Sequence, residues 1–340
     1  MRFDNPIYDH DFVFPDLAEF PGVESEPRFL DTPSVPRDLE VMQRAFENND
    51  WNTFSSTFYK YSQLDKKTRA RVKTMFDFYS WFPKSRKHTD LFPNNEAHDA
   101  LYEQGFYAAQ VDLDEVKTAL EPSIEKLYEQ EDWVPPIGTM DRGCPVSKDV
   151  RRMIQQALAD AGLMDAAGKY LARERALKVG SAYLVVGTPT DSHWKQFYQD
   201  QTYVSKTTNL HIDPVEDQIK VMLYLNDVGL ESGPFSYVPQ SNRWMHDDLQ
   251  NIFGRAIATG SYCDTPEKRA SIFRLPKHLR VSYNFGRTLV DHNPLQQRII
   301  GTEQLLVSAN TNCIVFDPAG MHRGGICESK DRIAIQVLLK

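Results

Sequence analysis

The sequence predicts a mainly β protein with flanking helices, and two observations support this fold class. Helical patterns fill the first part of the chain, whereas most strand-like segments lie in the second part. Strands and helices do not alternate as they would in a parallel α/β sheet, so the strands are expected to pair antiparallel. The chain has 340 residues, 41% of them hydrophobic, which is enough to bury a large core.

The N-terminal part of the chain is predicted to be helical after an irregular start. Residues 1–36 are rich in Pro, Asp and Phe and show no period. Between Asp38 and Phe82, apolar residues such as Val72, Met75 and Phe76 recur at the spacing of one helix face. Such a stripe is the usual way in which a helix docks on a core.

The central and C-terminal parts hold the strands. A short strand is expected at Gly105–Gln110, followed by a helix that is interrupted near Pro122. Ser147 is in position to cap a further helix. Six more segments are predicted as strands from their β-branched or alternating residues: Lys178–Gly187, Ile219–Leu225, Phe235–Pro239, Gln304–Ala309, Asn312–Asp317 and Arg332–Leu339.

These patterns divide the chain into two predicted regions. Residues 1–97 are expected to form an N-terminal helical extension packed on the core, and residues 98–340 the β domain. Mixed polar sequence near 242–298 interrupts the strands and is interpreted as an insertion. The extension and the insertion are both expected to shape a pocket or a subunit contact.

Composition narrows the range of partners. The net charge of -8 disfavours nucleic acid, because such binding relies on clustered Lys and Arg. No apolar stretch is long enough for a membrane span, and the segment MRFDNPIYDHDFVFPD lacks the basic flank of a signal peptide. The cysteines form no Cys-x-x-Cys pair, as expected in a reducing compartment; they are Cys144, Cys263, Cys313 and Cys327. We therefore expect a cytoplasmic protein without nucleic-acid or membrane partners, and leave a homo-oligomer open.

The pattern His-x-Asp occurs three times, and one copy leads into a predicted strand. His88–Asp90 and His246–Asp248 have no strand after them, whereas His211–Asp213 precedes Ile219–Leu225. In extended backbone, residues two apart point to the same side, so one imidazole and one carboxylate can share a metal ion. His211 and Asp213 are therefore the candidate pair.

A mononuclear Fe(II) site of two histidines and one carboxylate needs a second histidine. His322 is the best candidate, because it lies between the strand Asn312–Asp317 and the final strand. The final strand begins with Arg332, which shares a face with Ala334 and Gln336. The other face is uniformly apolar, so Arg332 is expected to point into the barrel, where a dicarboxylate co-substrate would supply the anion that a buried guanidinium needs.

Several segments in this order resemble the phytanoyl-CoA dioxygenase family of Fe(II)/2-oxoglutarate-dependent oxygenases, over roughly residues 98–340. The segments are LYEQGFYAAQVDLDEVKTALEPSIEKL, NLHIDP, YLNDVGLESGPFSYVPQSNRW and NCIVFDPAGMHRGG. Two departures stand out. Thr311–Asn312 replaces the Gly-Asp that the family commonly has, and Pro239–Asn242 reads Pro-Gln-Ser-Asn where the family has Pro-Gly-Ser-His.

The resemblance implies a double-stranded β-helix core, that is, a cupin-like jelly roll. It implies Fe(II) held by His211, Asp213 and His322, with no catalytic residues beyond these ligands. It also implies that Arg332 binds the far carboxylate of 2-oxoglutarate, with Lys220 or Tyr224 as further contacts.

The implied activity is that of a dioxygenase. It would use molecular oxygen to hydroxylate, or otherwise oxidise, a small molecule while 2-oxoglutarate is decarboxylated to succinate. Related halogenases replace the ligand carboxylate with a small residue, so the presence of Asp213 favours hydroxylation or a related oxidation.

Two alternatives remain open on the same fold. One is a jelly-roll protein that binds metal or ligand without catalysis. The other is a metal enzyme that ignores 2-oxoglutarate, such as an isomerase or a hydrolase, in which Arg332 would have another role. The sequence does not indicate the substrate or the position oxidised.

Overall fold

The structure is a computed structural model. It describes residues 35–59, 66–86, 95–130, 142–171, 177–189, 218–243, 302–309 and 311–340, and the single positions 213, 249 and 252. The chain divides into two compact units. The first comprises Met1–His88, His211–Glu216 and Arg243–Gly301, and the second comprises Thr89–Leu210, Asp217–Asn242 and Thr302–Lys340. The predicted boundary at residue 97 and the predicted insertion stay predictions.

Residues 35–59 and 66–86 of the first unit contain three helices: α1 (Val35–Glu47), α2 (Trp51–Phe58) and α3 (Lys66–Arg86). Asp50 caps α2, since its carboxylate accepts a hydrogen bond from the Thr53 N–H at 3.1 Å. The ring of Phe76 on α3 packs against Phe54 and Phe46, with centroids 4.7 and 5.5 Å away. Phe76 is fully buried, as the helical stripe predicts.

The described part of the second unit contains four helices: α4 (Glu96–Glu103), α5 (Asp114–Tyr128), α6 (Lys148–Asp160) and α7 (Leu163–Tyr170). Ser147 caps α6 as predicted, because its hydroxyl accepts the Val150 N–H at 3.3 Å. The predicted interruption of α5 near Pro122 is wrong, and the helix is continuous. Buried Leu120 and Leu127 lie on either side of the proline, so packing of this face offsets the missing hydrogen bond.

Nine strands make up the described sheets. They are β1 (Phe106–Ala109), β2 (Arg142–Pro145), β3 (Val179–Gly187), β4 (Ile219–Tyr224), β5 (Phe235–Tyr237), β6 (Gln304–Leu306), β7 (Cys313–Phe316), β8 (His322–Gly324) and β9 (Arg332–Leu339). The large sheet has the order β1-β7-β4-β9-β3-β2, and the small sheet has the order β6-β5-β8. Every described pair is antiparallel.

The path of the chain between the two sheets is that of a jelly roll. From β4 the chain crosses to the small sheet for β5 and β6, returns to the large sheet for β7, crosses again for β8 and ends in the large sheet with β9. This alternation winds two antiparallel layers around one core. The predicted fold class, a mainly β jelly roll with flanking helices, is confirmed.

The core between the sheets shows which side of each strand faces inward. Phe235 of the small sheet lies 4.5 Å from Phe316 of the large sheet, measured between ring centroids. Tyr224 on β4 and Ala334 on β9 belong to the same buried cluster. Because side chains alternate along a strand, Arg332 shares the inward face with Ala334, as predicted.

Two of the strands have no clear sequence signal. β2 has the sequence RGCP, whose glycine and proline are atypical of strands, and β8 is only three residues long. Both form because a long or well-packed partner is available: β2 pairs with β3, and β8 pairs with β5. None of the helices in the ranges given above is long and apolar enough to cross a bilayer.

Candidate metal and co-substrate site

His322 lies on the inner side of the small sheet and is 4% exposed. It pairs with Tyr237 across β5 and β8, and its ring is 5.0 Å from that of Phe316. Its Nδ1 donates a hydrogen bond to the carbonyl of Gly320 at 2.9 Å. A carbonyl only accepts, so Nδ1 carries the proton and Nε2 keeps its lone pair. A histidine that binds metal usually has this arrangement, so His322 fits the role of a ligand.

Arg332 is 7% exposed and is held by two backbone carbonyls. Its Nη1 donates to the carbonyl oxygens of Gly233 and Gly325. The two glycine backbones approach closely, since a Cβ on Gly233 would lie 2.5 Å from the carbonyl carbon of Gly325. These contacts hold the guanidinium between the backbone that precedes β5 and the backbone that follows β8.

We expect Gly233→Ala to weaken both this contact and the fold. Gly233 has a φ of +63°, and an alanine Cβ would also collide with the backbone at Ile326. Gly162→Ala is the matched control, because Gly162 has a φ of +70° but nothing within 4 Å of its Cβ position. The control should cost about 1 kcal/mol of unfolding free energy through the backbone angle alone. Thermal denaturation should show a larger loss for Gly233→Ala, and equal losses would contradict the close approach.

Tyr224 is buried beside Arg332, and its hydroxyl is engaged in two hydrogen bonds. It donates to the carbonyl of Leu306 at 3.0 Å and accepts from the Phe235 N–H at 2.8 Å. Burial raises the pKa of Tyr224 to about 12, so the hydroxyl stays protonated at neutral pH. Its one O–H proton is used in the hydrogen bond to Leu306, which connects β4 of the large sheet to β6 of the small sheet. A contact between Tyr224 and 2-oxoglutarate stays a prediction.

Lys220 is half-buried on the same side of β4 as Tyr224. Its Cα is paired with that of Phe316 on β7 and with that of Leu338 on β9. Because the Phe316 ring contacts His322, this register places the lysine on the strand next to the histidine's aromatic neighbour. Its contact with 2-oxoglutarate also stays a prediction.

The other two predicted ligands belong to the first unit. Asp213 is 8% exposed, which for a carboxylate requires a hydrogen-bonding or charged partner. His211 lies outside the described residues, as do the look-alike pairs at 88–90 and 246–248. Within the described ranges, no three His, Cys, Asp or Glu side chains come together as a metal-binding group. The chemistry of two imidazoles and one carboxylate nevertheless fits Fe(II).

Several residues that shape the site have no signature in the sequence. Gly320, Gly233 and Gly325 act through their carbonyl groups, which every residue carries. Asp317 and Tyr170 form a buried hydrogen bond across 147 positions of the chain. The glycines are visible in the segments FDPAGMHRGG and ESGP, but the sequence does not show which side chains their carbonyl groups orient.

This antiparallel jelly roll is the fold of the Fe(II)/2-oxoglutarate-dependent oxygenases. The sequence model of one family, described as phytanoyl-CoA dioxygenase (PhyH), matches residues 78–273. The match spans more than half of the chain, so the chain belongs to this family. It includes His211 and Asp213 and ends before His322 and Arg332. Membership supports the predicted use of Fe(II) as cofactor and 2-oxoglutarate as co-substrate.

Solved structures with a similar fold have low sequence identity. The carbocyclase SnoK from nogalamycin biosynthesis is 16% identical over 73% of this chain and 84% of its own, with a TM-score of 0.45. EvdO2 from Micromonospora carbonacea var. aurantiaca is 14% identical over 72% and 90%, with a TM-score of 0.44. EctD from S. alaskensis is 13% identical over 73% and 78%, with a TM-score of 0.39. No curated protein matches the chain, and the family assignment rests on the sequence match.

Proposed function

We propose that this protein is an Fe(II)/2-oxoglutarate-dependent dioxygenase that hydroxylates, or otherwise oxidises, a small molecule and converts 2-oxoglutarate to succinate. The observation that carries the proposal is the hydrogen bond from His322 Nδ1 to the Gly320 carbonyl. It holds a buried imidazole in the tautomer whose Nε2 binds metal. Family membership supplies the chemical context for this histidine.

In this proposal His211, Asp213 and His322 hold Fe(II). When bound together, the metal and 2-oxoglutarate supply the activation of molecular oxygen. The protein's own part is to hold the imidazole and keep bulk water from it. Phe235 and Phe316, with ring centroids 5.8 and 5.0 Å from that of His322, provide an apolar surface for this purpose.

Arg332 is proposed to bind the 5-carboxylate of 2-oxoglutarate. A guanidinium matches a carboxylate with two parallel N–H donors, and a buried pair of this kind is stronger than an exposed one. The carbonyls of Gly233 and Gly325 accept hydrogen bonds from Nη1 and thereby fix the direction of the guanidinium. Lys220 is the proposed second cation for the co-substrate.

A small-molecule substrate is proposed to bind on the inner face of the large sheet. The aromatic core covers one part of this face. Side chains farther along the same strands are more exposed. Lys220, Met222 and Leu338 are half-buried, and Gln336 is exposed. Register joins them into one surface, since Met222 pairs with Gln336 and Lys220 with Leu338. The exposure of this surface supports the proposed substrate site.

The test is succinate formation by the purified protein with Fe(II), 2-oxoglutarate and a panel of small molecules. We expect at least one compound to raise succinate production above the level without substrate. Asp213→Ala should abolish both metal binding and this production, because it removes the one carboxylate ligand. Asp149→Ala, which changes an exposed carboxylate on α6, is the control and should behave like the wild type.

Three other results would each count against the proposal. Substrate turnover that does not require 2-oxoglutarate would indicate the isomerase or hydrolase alternative. Ligand binding without any turnover would indicate a binding protein. Unchanged metal affinity in Asp213→Ala would remove Asp213 from the site. A cytoplasmic location, the absence of nucleic-acid and membrane partners, and the open question of a homo-oligomer all stay predictions.

A further inference from the structure

A buried polar network lies next to the turn that precedes His322. Tyr170, the last residue of α7, donates from its hydroxyl to Oδ2 of Asp317 at 2.6 Å. Asn242 donates from Nδ2 to the same tyrosine oxygen at 3.1 Å. The three residues are 3%, 4% and 4% exposed, respectively. A buried carboxylate is costly unless it is hydrogen-bonded, so these contacts stabilise Asp317 where it lies.

Asp317 in turn organises the backbone of the turn. Its Oδ1 accepts the Ala319 N–H at 2.9 Å. Its carbonyl accepts the Tyr237 hydroxyl at 2.9 Å and the Gly320 N–H at 3.1 Å. The side chain and the carbonyl of the aspartate therefore hold the N–H groups of Ala319 and Gly320, and the carbonyl of Gly320 in turn accepts from His322.

The backbone of Gly320 is also closely packed against neighbouring side chains. A Cβ on Gly320 would lie 1.8 Å from the hydroxyl oxygen of Tyr237. The next residue, Met321, donates its N–H to the hydroxyl of Ser241 at 2.6 Å. The backbone at Gly320 is thus held by Asp317 and packed against the hydroxyls of Tyr237 and Ser241.

We propose that Tyr170 and Asp317 are positioning residues for His322, acting through the Gly320 carbonyl. The hydroxyl of Tyr170 aligns the carboxylate, the carboxylate aligns the turn, and the carbonyl at its end selects the tautomer and direction of the imidazole. The inference rests on the proposed role of His322 as a metal ligand. Asn242 completes the network. The phytanoyl-CoA dioxygenase family has a histidine at this position, whereas in this chain the side-chain amide of Asn242 donates to the tyrosine oxygen.

The network could instead serve the stability of the fold alone, and the two roles predict different measurements. A purely structural network affects the melting temperature of the metal-free protein. A positioning network also affects metal affinity and the ligand field of the bound metal, because both depend on where Nε2 points. Co(II) is a suitable probe, since its absorption spectrum reports its coordination geometry.

The key variant is Tyr170→Phe in the full-length protein, which removes one oxygen and keeps the ring. We expect its Kd for Co(II) to rise about tenfold, as is typical when the hydrogen-bond partner of a ligand is disturbed. The Co(II) absorption bands should shift as well. The KM for 2-oxoglutarate should change little, because the contacts of Arg332 with Gly233 and Gly325 are left intact.

Two further substitutions, both at Asp317, should weaken Co(II) binding to different degrees. Asp317→Ala should weaken Co(II) binding at least as much as Tyr170→Phe. Asp317→Asn should recover part of the affinity, because its Oδ1 can still accept from Ala319 and its amide can donate to the Tyr170 oxygen. Tyr107→Phe is the matched control, since it also removes a tyrosine hydroxyl from a carboxylate, that of Glu96. It should bind Co(II) like the wild type.

The inference is overturned if Tyr170→Phe and Asp317→Asn melt at lower temperature but bind Co(II) with the wild-type Kd and spectrum. These two variants decide the question even if Asp317→Ala does not fold. If the wild-type protein itself binds no Co(II) or Fe(II), the proposed function fails and this inference fails with it. If the wild-type protein binds Co(II) and the variants bind it equally well, the inference fails, but the proposed function is not contradicted.

Discussion

Replacing Arg332 with alanine is expected to raise the KM for 2-oxoglutarate by about 100-fold, because the variant loses the guanidinium proposed to bind the 5-carboxylate. A loss of this size corresponds to about 2.7 kcal/mol, within the range of hydrogen bonds to charged groups. The metal ligands are untouched, so the Kd for Co(II) should stay near that of the wild type. Steady-state kinetics with varied 2-oxoglutarate measure the first effect, and a Co(II) titration measures the second.

Two comparisons make the Arg332 result specific. Arg332→Lys keeps the charge but not the paired N–H donors, so its KM should fall between those of the wild type and the alanine variant. Arg152→Ala removes an exposed arginine whose side chain is 68% accessible, and it should have no effect on 2-oxoglutarate. The alanine variant also leaves the Gly233 and Gly325 carbonyls without this donor, so its melting temperature must be measured. A folded Arg332→Ala with an unchanged KM would assign Arg332 another role and favour the alternative that ignores 2-oxoglutarate.

Replacing His322 with alanine is expected to abolish 2-oxoglutarate turnover and to raise the Kd for Fe(II) by about 100-fold or more, since the proposed site would keep only two of its three protein ligands. The side chain is buried among aromatic rings, so the variant should also lose some stability from the cavity left behind. Metal titration of the folded variant separates these two effects.

His98 provides the matched control for the loss of a buried histidine. It is also 4% exposed, and its Nδ1 lies 3.1 Å from a carboxylate oxygen of Asp99 on α4. His98→Ala should lower stability without affecting metal affinity. If His98→Ala and His322→Ala bind Fe(II) equally well, His322 is not a ligand.

Patterns between near neighbours in the chain predict much of the large sheet. The alternation in RIAIQVLL predicts a strand at Arg332–Leu339, and β9 has those bounds. The same alternation places Arg332 on the inward face with Ala334, because side chains of a strand repeat every two residues. The cap at Ser147 is predictable for a similar reason, since a cap involves residues three positions apart.

The candidate site is predictable in its charged and metal-binding residues, but not in the groups that orient them. His322 and Arg332 stand out by their types and by their places before and at the last strand, and both are buried. The carbonyls of Gly320, Gly233 and Gly325 belong to the backbone, which is the same at every position. No residue type therefore marks them in advance.

Contacts between distant parts of the chain account for what the sequence patterns do not predict. Pro122 lies inside a continuous α5 because the buried side of that helix outweighs one lost hydrogen bond. β8 has three residues and is a strand because it pairs with β5. Tyr170 and Asp317 meet across 147 positions, and no period links them. Local periodicity thus predicts individual strands and their inward residues. The hydrogen bonds that connect Tyr170 and Asp317 to the turn before His322 form only when sheets and helices pack together.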